Sequence, residues 1–267
     1  MRSNTIKPVI SVLFSLMAIG QPSAALNLLG LRFTYTETQN FQEIADLIRT
    51  MTDVPWASVD NAKTLWLYGG KSDQITLAEW LFHELDKPAT GELPGSQGQI
   101  SSTPEYRVPG ASDSVVRVFY LTHTRTASGL QEIVVAIRSV AEIQRVVVYR
   151  GSQAMVLRGT QGEMASAEWM INALDKPAGE QTLASQSPAI PQYRLSNDRY
   201  PEMRVFHLSN TAEPQASQEI TNMVRSQTEM QRVILCFEQR ALVVRGTLDQ
   251  VALAERLIQE RDRPGVH

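Results

Sequence analysis

Few residues in this chain are spaced as chemistry would require. Gly69-Gly-Lys-Ser72 looks like the end of a phosphate-binding loop, but that loop needs a glycine at position 65, where a leucine stands. A turn between a strand and a helix is the expectation there. The four histidines, His83, His123, His207 and His267, share no metal-ligand spacing with one another or with Cys236, the only cysteine. Solvated or packing roles are expected of them. No Ser-His-Asp order and no paired carboxylates are marked by their neighbours. The sequence therefore assigns no catalytic residue, metal ligand or cofactor. Cys236 lies inside Val233-Ile-Leu-Cys-Phe237 and reads as a buried, small apolar side chain.

The residues that recur are of another kind. Arg138, Arg145 and Arg158 reappear 87 positions later as Arg225, Arg232 and Arg245, and Glu132 and Glu168 as Glu219 and Glu255. Solvated charge and ion pairs within a unit are one reading, worth about 0–1 kcal/mol each when exposed. The other is that they set the register between neighbouring units, because complementary charge steers docking. Trp80 and Trp169 stand opposite the apolar stripe of their helices, since successive residues turn by ~100°. Either a partner covers such a large apolar ring, or the linker or a neighbouring unit does. Arg145, Arg158, Arg232, Arg245, Trp80 and Trp169 are the candidate interface residues.

These positions recur because the chain is a repeat. Val156-Leu-Arg-Gly-Thr160 through Asp175-Lys-Pro177 is spelled again from Val243-Val-Arg-Gly-Thr247 to Arg261-Asp-Arg-Pro264, and more loosely from Leu67-Tyr-Gly-Gly70 to Leu85-Asp-Lys-Pro88. The second and third copies align without a gap, and the first follows at an offset of 89 from its first helix onward. In the second copy, Val116 to Leu121 reads as a strand, and Leu130, Ile133, Val134 and Ile137 as one helical stripe. Val146 to Tyr149 and Ala154 to Leu157 read as a hairpin around Gly151-Ser152. Met164, Ala167, Met170, Ile171 and Leu174 form a second stripe, stopped by Pro177, which disfavours helix at the residue before it. The expected fold is α+β: three tandem βαββα units, each a three-stranded sheet with both helices on one face. In the first copy the opening strand is expected at Leu31 to Thr36.

Unit 1 is placed at residues 26–88, unit 2 at 115–177 and unit 3 at 203–264. The linkers 89–114 and 178–202 are rich in Pro, Gly, Ser and Gln, with short strands expected at Tyr106-Arg-Val108 and Tyr193-Arg-Leu195. A unit of roughly 60 residues is marginal without cross-links or neighbours. Val146 to Tyr149 and Val233 to Phe237 are apolar at every position, so both of their faces should be covered. The helix-free face of each sheet is expected to dock on another unit or another chain.

Composition is ordinary for a folded protein, with 43% hydrophobic and 20% charged residues and a net charge of −3. That balance gives no electrostatic reason to expect a nucleic-acid or anionic-membrane partner. Residues 1–25 read as a secretory leader, with Arg2 and Lys7, an apolar Val9 to Ile19 and a Ser23-Ala-Ala25 cleavage site. An apolar stretch this short does not span a bilayer, so the mature chain is expected to carry no membrane span and to be exported to the periplasm.

A strand like Arg204-Val-Phe-His-Leu208, an amphipathic helix, a hairpin ending in Leu-Val-Val-Arg-Gly-Thr, and a helix ending in Leu-Asp-Lys-Pro together resemble the periplasmic N-domains of secretins. Secretins are the outer-membrane channel proteins of type II and type III secretion and of type IV pilus systems. The resemblance implies a KH-like unit and a habit of packing side by side into rings. Secretins continue into a long channel domain, and a chain ending at His267 is expected to act without one. The KH-like label raises RNA binding, but that needs a GXXG loop between helices and a basic surface, and neither is found. The expectation is a non-enzymatic scaffold or adaptor whose partners are proteins, either further copies of itself or a secretin or secretion-system component. A periplasmic enzyme or ligand-binding protein on a repeated α+β scaffold is the alternative, and a pocket of convergent polar groups would favour it.

Overall fold

The structure is a computed structural model that describes residues 28–88, 103–177, 191–196, 198–211 and 213–263. The leader and its cleavage site, His267, Pro264 and most of both linkers lie outside the described residues. Unit 1 runs β1 (Leu28–Arg32), α1 (Phe41–Thr52), β2 (Trp56–Val59), β3 (Thr64–Tyr68) and α2 (Ser72–Leu85). Unit 2 runs β4 (Glu105–Arg107), β5 (Val115–Tyr120), α3 (Ala127–Ala136), β6 (Arg145–Tyr149), β7 (Ala154–Gly159) and α4 (Gln161–Leu174). Unit 3 repeats this with β8 (Gln192–Arg194), β9 (Glu202–His207), α5 (Pro214–Thr228), β10 (Arg232–Cys236), β11 (Ala241–Gly246) and α6 (Leu248–Arg261).

Every sheet is antiparallel, with the third βαββα strand in the middle: β1-β3-β2, β4-β5-β7-β6 and β10-β11-β9-β8. Three strands are thus correct for unit 1 but not for units 2 and 3. There the end of the linker adds a fourth, with Tyr106 opposite Val116 and Tyr193 opposite Met203. These two strands start one residue earlier than the sequence indicates, and they satisfy an edge that would otherwise stay open.

Periodicity places the helices well. The stripe residues Ile133, Met164, Met170 and Leu174 are sealed, as are Ile44, Ile48, Leu81 and Leu85 in unit 1. Thr160 and Thr247 close capping boxes with Glu163 and Gln250 at the starts of α4 and α6. In unit 2 the first helix continues as a π-helical turn, Ile137–Ala141. Each first helix ends on an acid with left-handed backbone: Asp53, Glu142 and Glu229, at φ 57°, 63° and 56°.

The Asp of each closing Asp-x-Pro does more than precede a proline. Asp175 accepts the backbone N–H groups of Thr122, His123 and Thr124 at 2.7, 3.0 and 2.7 Å. Asp86 accepts those of Thr34, Tyr35 and Thr36, and Asp262 those of Ser209, Asn210 and Thr211. The last helix of each unit is thereby tied to the loop after its first strand. The same tie corrects the opening strand of unit 1. The N–H groups that Thr34 to Thr36 would give to a sheet go to Asp86, so β1 ends at Arg32.

The three units stack. One apolar cluster joins the unit 1 core to Val116, Val118, Tyr149, Ala154 and Val156, the helix-free face of the unit 2 sheet. A second joins the unit 2 core to Met203, Val205, Cys236, Ala241 and Val243, the same face of unit 3. The helix layer of one unit is therefore the floor for the next sheet. This is why β6 and β10 are apolar at successive positions. Burial on both sides also gives small, disulfide-free units the core that none has alone.

Candidate functional site

The two seams are built from the same parts. On β7, Arg158 is 7% exposed, and its Nη1 donates to the carbonyl of Met51 at 2.6 Å and to Asp53 Oδ2 at 3.2 Å. On β11, Arg245 is 3% exposed, and its Nη1 donates to the carbonyl of Val140 at 2.7 Å and to Glu142 Oε2 at 3.1 Å. Both arginines therefore meet the C-terminal end of the preceding unit's first helix, where unpaired carbonyls carry partial negative charge. The rest of each guanidinium is held within its own unit, by Asp113 for Arg158 and by Tyr200 O and Asp198 for Arg245. Directly across the strand pair, Arg145 reaches the same Asp53 at 2.7 Å, and Arg232 pairs with Glu142.

Glu43 Oε1 accepts the N–H of Arg150 at the tip of the next hairpin, 3.2 Å away, and Glu132 Oε2 accepts that of Glu238 at 3.0 Å. Burial, aided by the neighbouring Glu238 charge, pushes the Glu132 carboxyl above its ordinary range. Tyr120 donates its hydroxyl to Glu84 O at 2.7 Å across the first seam, and burial pushes that phenol up to about 12. The aligned residue at the second seam is His207, which is buried with its ring close to the backbone of Gln239 and Ala173. Burial, and then the charge of Lys176, hold it below the usual histidine range.

The six candidate interface residues all fall along these seams. Arg145, Arg158, Arg232 and Arg245 cross them. Trp80 lies against Tyr106 of β4 with ring centroids 5.4 Å apart, and Trp169 against Tyr193 of β8 at 5.7 Å. Both indoles are half-buried, covered by the edge strand that leads into the next unit. Of the remaining repeated charges, Glu132 also crosses the second seam, and four others are held within their units. Arg138 and Arg225 donate to Val146 O and Val233 O, while Glu168 and Glu255 pair with Arg117 and Arg204. The residues that sequence reasoning missed are Asp53 and Glu142, with Tyr106 and Tyr193. An acid aligned at the end of each first helix was the available signal.

The residues weighed for chemistry are placed apart. His83 sits edge-on to Phe82, and the His123 N–H is held by Asp175. Cys236 is fully buried at the second seam, and its thiol is pushed well above the ordinary range, chiefly by burial. Gly69 turns at φ 75° and the chain enters α2 at Ser72. A half-open depression of about 300 Å³ lies at the first seam, lined in part by Thr52, Asp53, Lys71, Asp73, Gln74 and Arg158. Arg158 and Asp53 are already engaged with each other there. Among the described residues no helix is long and apolar enough to cross a membrane.

The chain is similar to secretin N-terminal regions. ExeD of Aeromonas hydrophila matches at 14% identity over 89% of this chain and 41% of its own, with a TM-score of 0.20. XcpQN012 matches at 16% identity over 90% and 99%, with a TM-score of 0.29. The N-terminal domain of the secretin XcpQ from Pseudomonas aeruginosa matches at 15% identity over 90% and 100%, with a TM-score of 0.28. The chain spans about two fifths of the length of ExeD. No protein-family model and no curated protein matches it.

Proposed function

We propose that this chain is an exported, non-enzymatic scaffold or adaptor that works by protein–protein contact in a bacterial envelope secretion or pilus assembly. One observation carries the reading: the buried arginines and cap acids are engaged in joining one unit to the next. Buried arginines, cap acids and aromatic pairs repeat at both seams with the same partners. A surface that evolves as a repeated docking joint is suited to holding proteins in register. The resemblance of Arg204-Val-Phe-His-Leu208 and the Leu-Asp-Lys-Pro endings to secretin N-domains supports placing that role beside a secretin, in the periplasm. Deleting the gene and comparing secreted protein and surface pili with the parent strain tests this. Loss of either, restored by the intact gene, is the expected result. Unchanged secretion and piliation would overturn it.

A further inference from the structure

The two ends of the stack are not alike. At the far end, the helix layer of unit 3 has become polar where the layers beneath it are apolar. Val140 and Ala173, buried at the second seam, align with the exposed Gln227 and Glu260, and Trp169 aligns with the exposed Arg256. Such a face suits a terminal repeat that meets water.

The near end is different. In register, the positions of Arg145 and Arg158 are taken in unit 1 by Trp56 and Tyr68, with Leu28 beside Tyr68. These three form one row across the helix-free face and are 70%, 39% and 59% exposed. Trp66 covers the adjoining position, and its ring comes so close that a Cβ on Gly30 would lie 2.7 Å from it. Its Nε1–H is held by Asp60 at 2.8 Å. Part of the face is thus sealed by the unit itself, while the row that elsewhere clamps a helix end is left open and apolar.

We propose that this row, Leu28, Tyr68 and Trp56, is a docking surface for the helix pair of a βαββα-type unit carried by another protein. The inference rests on the scaffold reading above. At both internal seams the equivalent row seats on the end of a first helix, so a helix layer is the shape this face fits. Replacing both arginines by aromatics selects among helix layers. An acid at the helix end meets no arginine in this row and loses solvent to an indole, which is unfavourable. The chain's own far end carries that acid, Glu229, together with Gln227 and Glu260, so head-to-tail stacking of copies is disfavoured. The expected partner ends its first helix without an acid and offers small apolar residues where unit 2 has Val140 and Ala173.

The purified chain can be made to supply such a layer. In a variant carrying Gln227→Val, Glu229→Gly and Glu260→Ala, the far end takes on the dress of unit 2 without its cap acid. Glycine suits the left-handed backbone at position 229. Light scattering should show its mass rising with concentration to about twice that of the wild type or more, since head-to-tail contacts add copies openly. Adding Trp56→Ser, an exposed change outside the core, should return it to the wild-type mass with its melting temperature retained. No growth, or growth indifferent to Trp56, overturns the proposal. So does Trp56-dependent self-association of the wild type, which would make a second copy the occupant, or Trp56-dependent binding to phosphatidylglycerol vesicles, which would make it a lipid surface. Being read on purified protein, this result is independent of the secretion phenotype.

Discussion

Arg158→Met should cost far more stability than Arg145→Met, although both arginines reach the same Asp53 from paired positions on one hairpin. Arg158 is buried, and its removal leaves the carbonyl of Met51 at a sealed seam without its donor. An unsatisfied buried group costs about 1–3 kcal/mol. The stranded carboxylates add less, because Asp53 and Asp113 are 47% and 32% exposed and can be hydrated. Methionine retains much of the apolar stem, which limits the packing loss. A total of about 2–3 kcal/mol follows. Arg145 is 36% exposed and bonds to no carbonyl across the seam, so its ion pairs are worth about 0–1 kcal/mol. Urea unfolding of both variants at neutral pH measures the difference from the midpoints and slopes. The Arg158 effect should persist in high salt, which screens exposed pairs but not buried ones. Equal costs for the two variants, or an Arg158 effect that vanishes with salt, would refute the reasoning. Arg245 and Arg232 should reproduce the contrast at the second seam.

Asp175→Ala removes the acceptor of three backbone N–H groups and should lower stability by about 2–3 kcal/mol, whereas Pro177→Ala should cost little, as calorimetry can show. His207 is held below its ordinary value of 6.5, so it contributes stability that is full above pH 6.5 and lost as pH falls through its lower folded value. His207→Tyr, the residue aligned with it at the first seam, should remove that part of the pH dependence. The difference between variant and wild type isolates it from Glu132, whose raised value works in the opposite sense. Cys236 should stay unreactive toward a thiol reagent in the native chain and react fully in urea, because its thiol is buried and hard to ionise.

The elements were legible because each follows a local rule. The stripes of α1, α3 and α4, the Gly-containing hairpins and the unbroken apolar runs of β6 and β10 gave the βαββα order and the need for a covered second face. Local rules failed where a distant partner decides the outcome. Phe33 and Tyr35 continue an alternating strand pattern, yet Asp86, some fifty residues on, takes the N–H groups beyond Arg32. Asp53 and Glu142 look like loop charges until an arginine about a hundred residues away inserts against them. The short strands β4 and β8 were expected to within one residue, but nothing local showed that each would pair with the next strand as the fourth of its sheet. Trp80 and Trp169 were placed off their stripes, but what covers them was open: it is a tyrosine from the linker.

Small-angle X-ray scattering of the purified chain tests the central claim, that the helix-free faces of units 2 and 3 are each seated on the helix layer of the unit before. The account predicts one stiff particle whose profile matches the stacked coordinates, and in which Arg158→Met and Arg245→Met together loosen the stack. Three units tumbling independently in the wild type, with a profile that neither change alters, would contradict it.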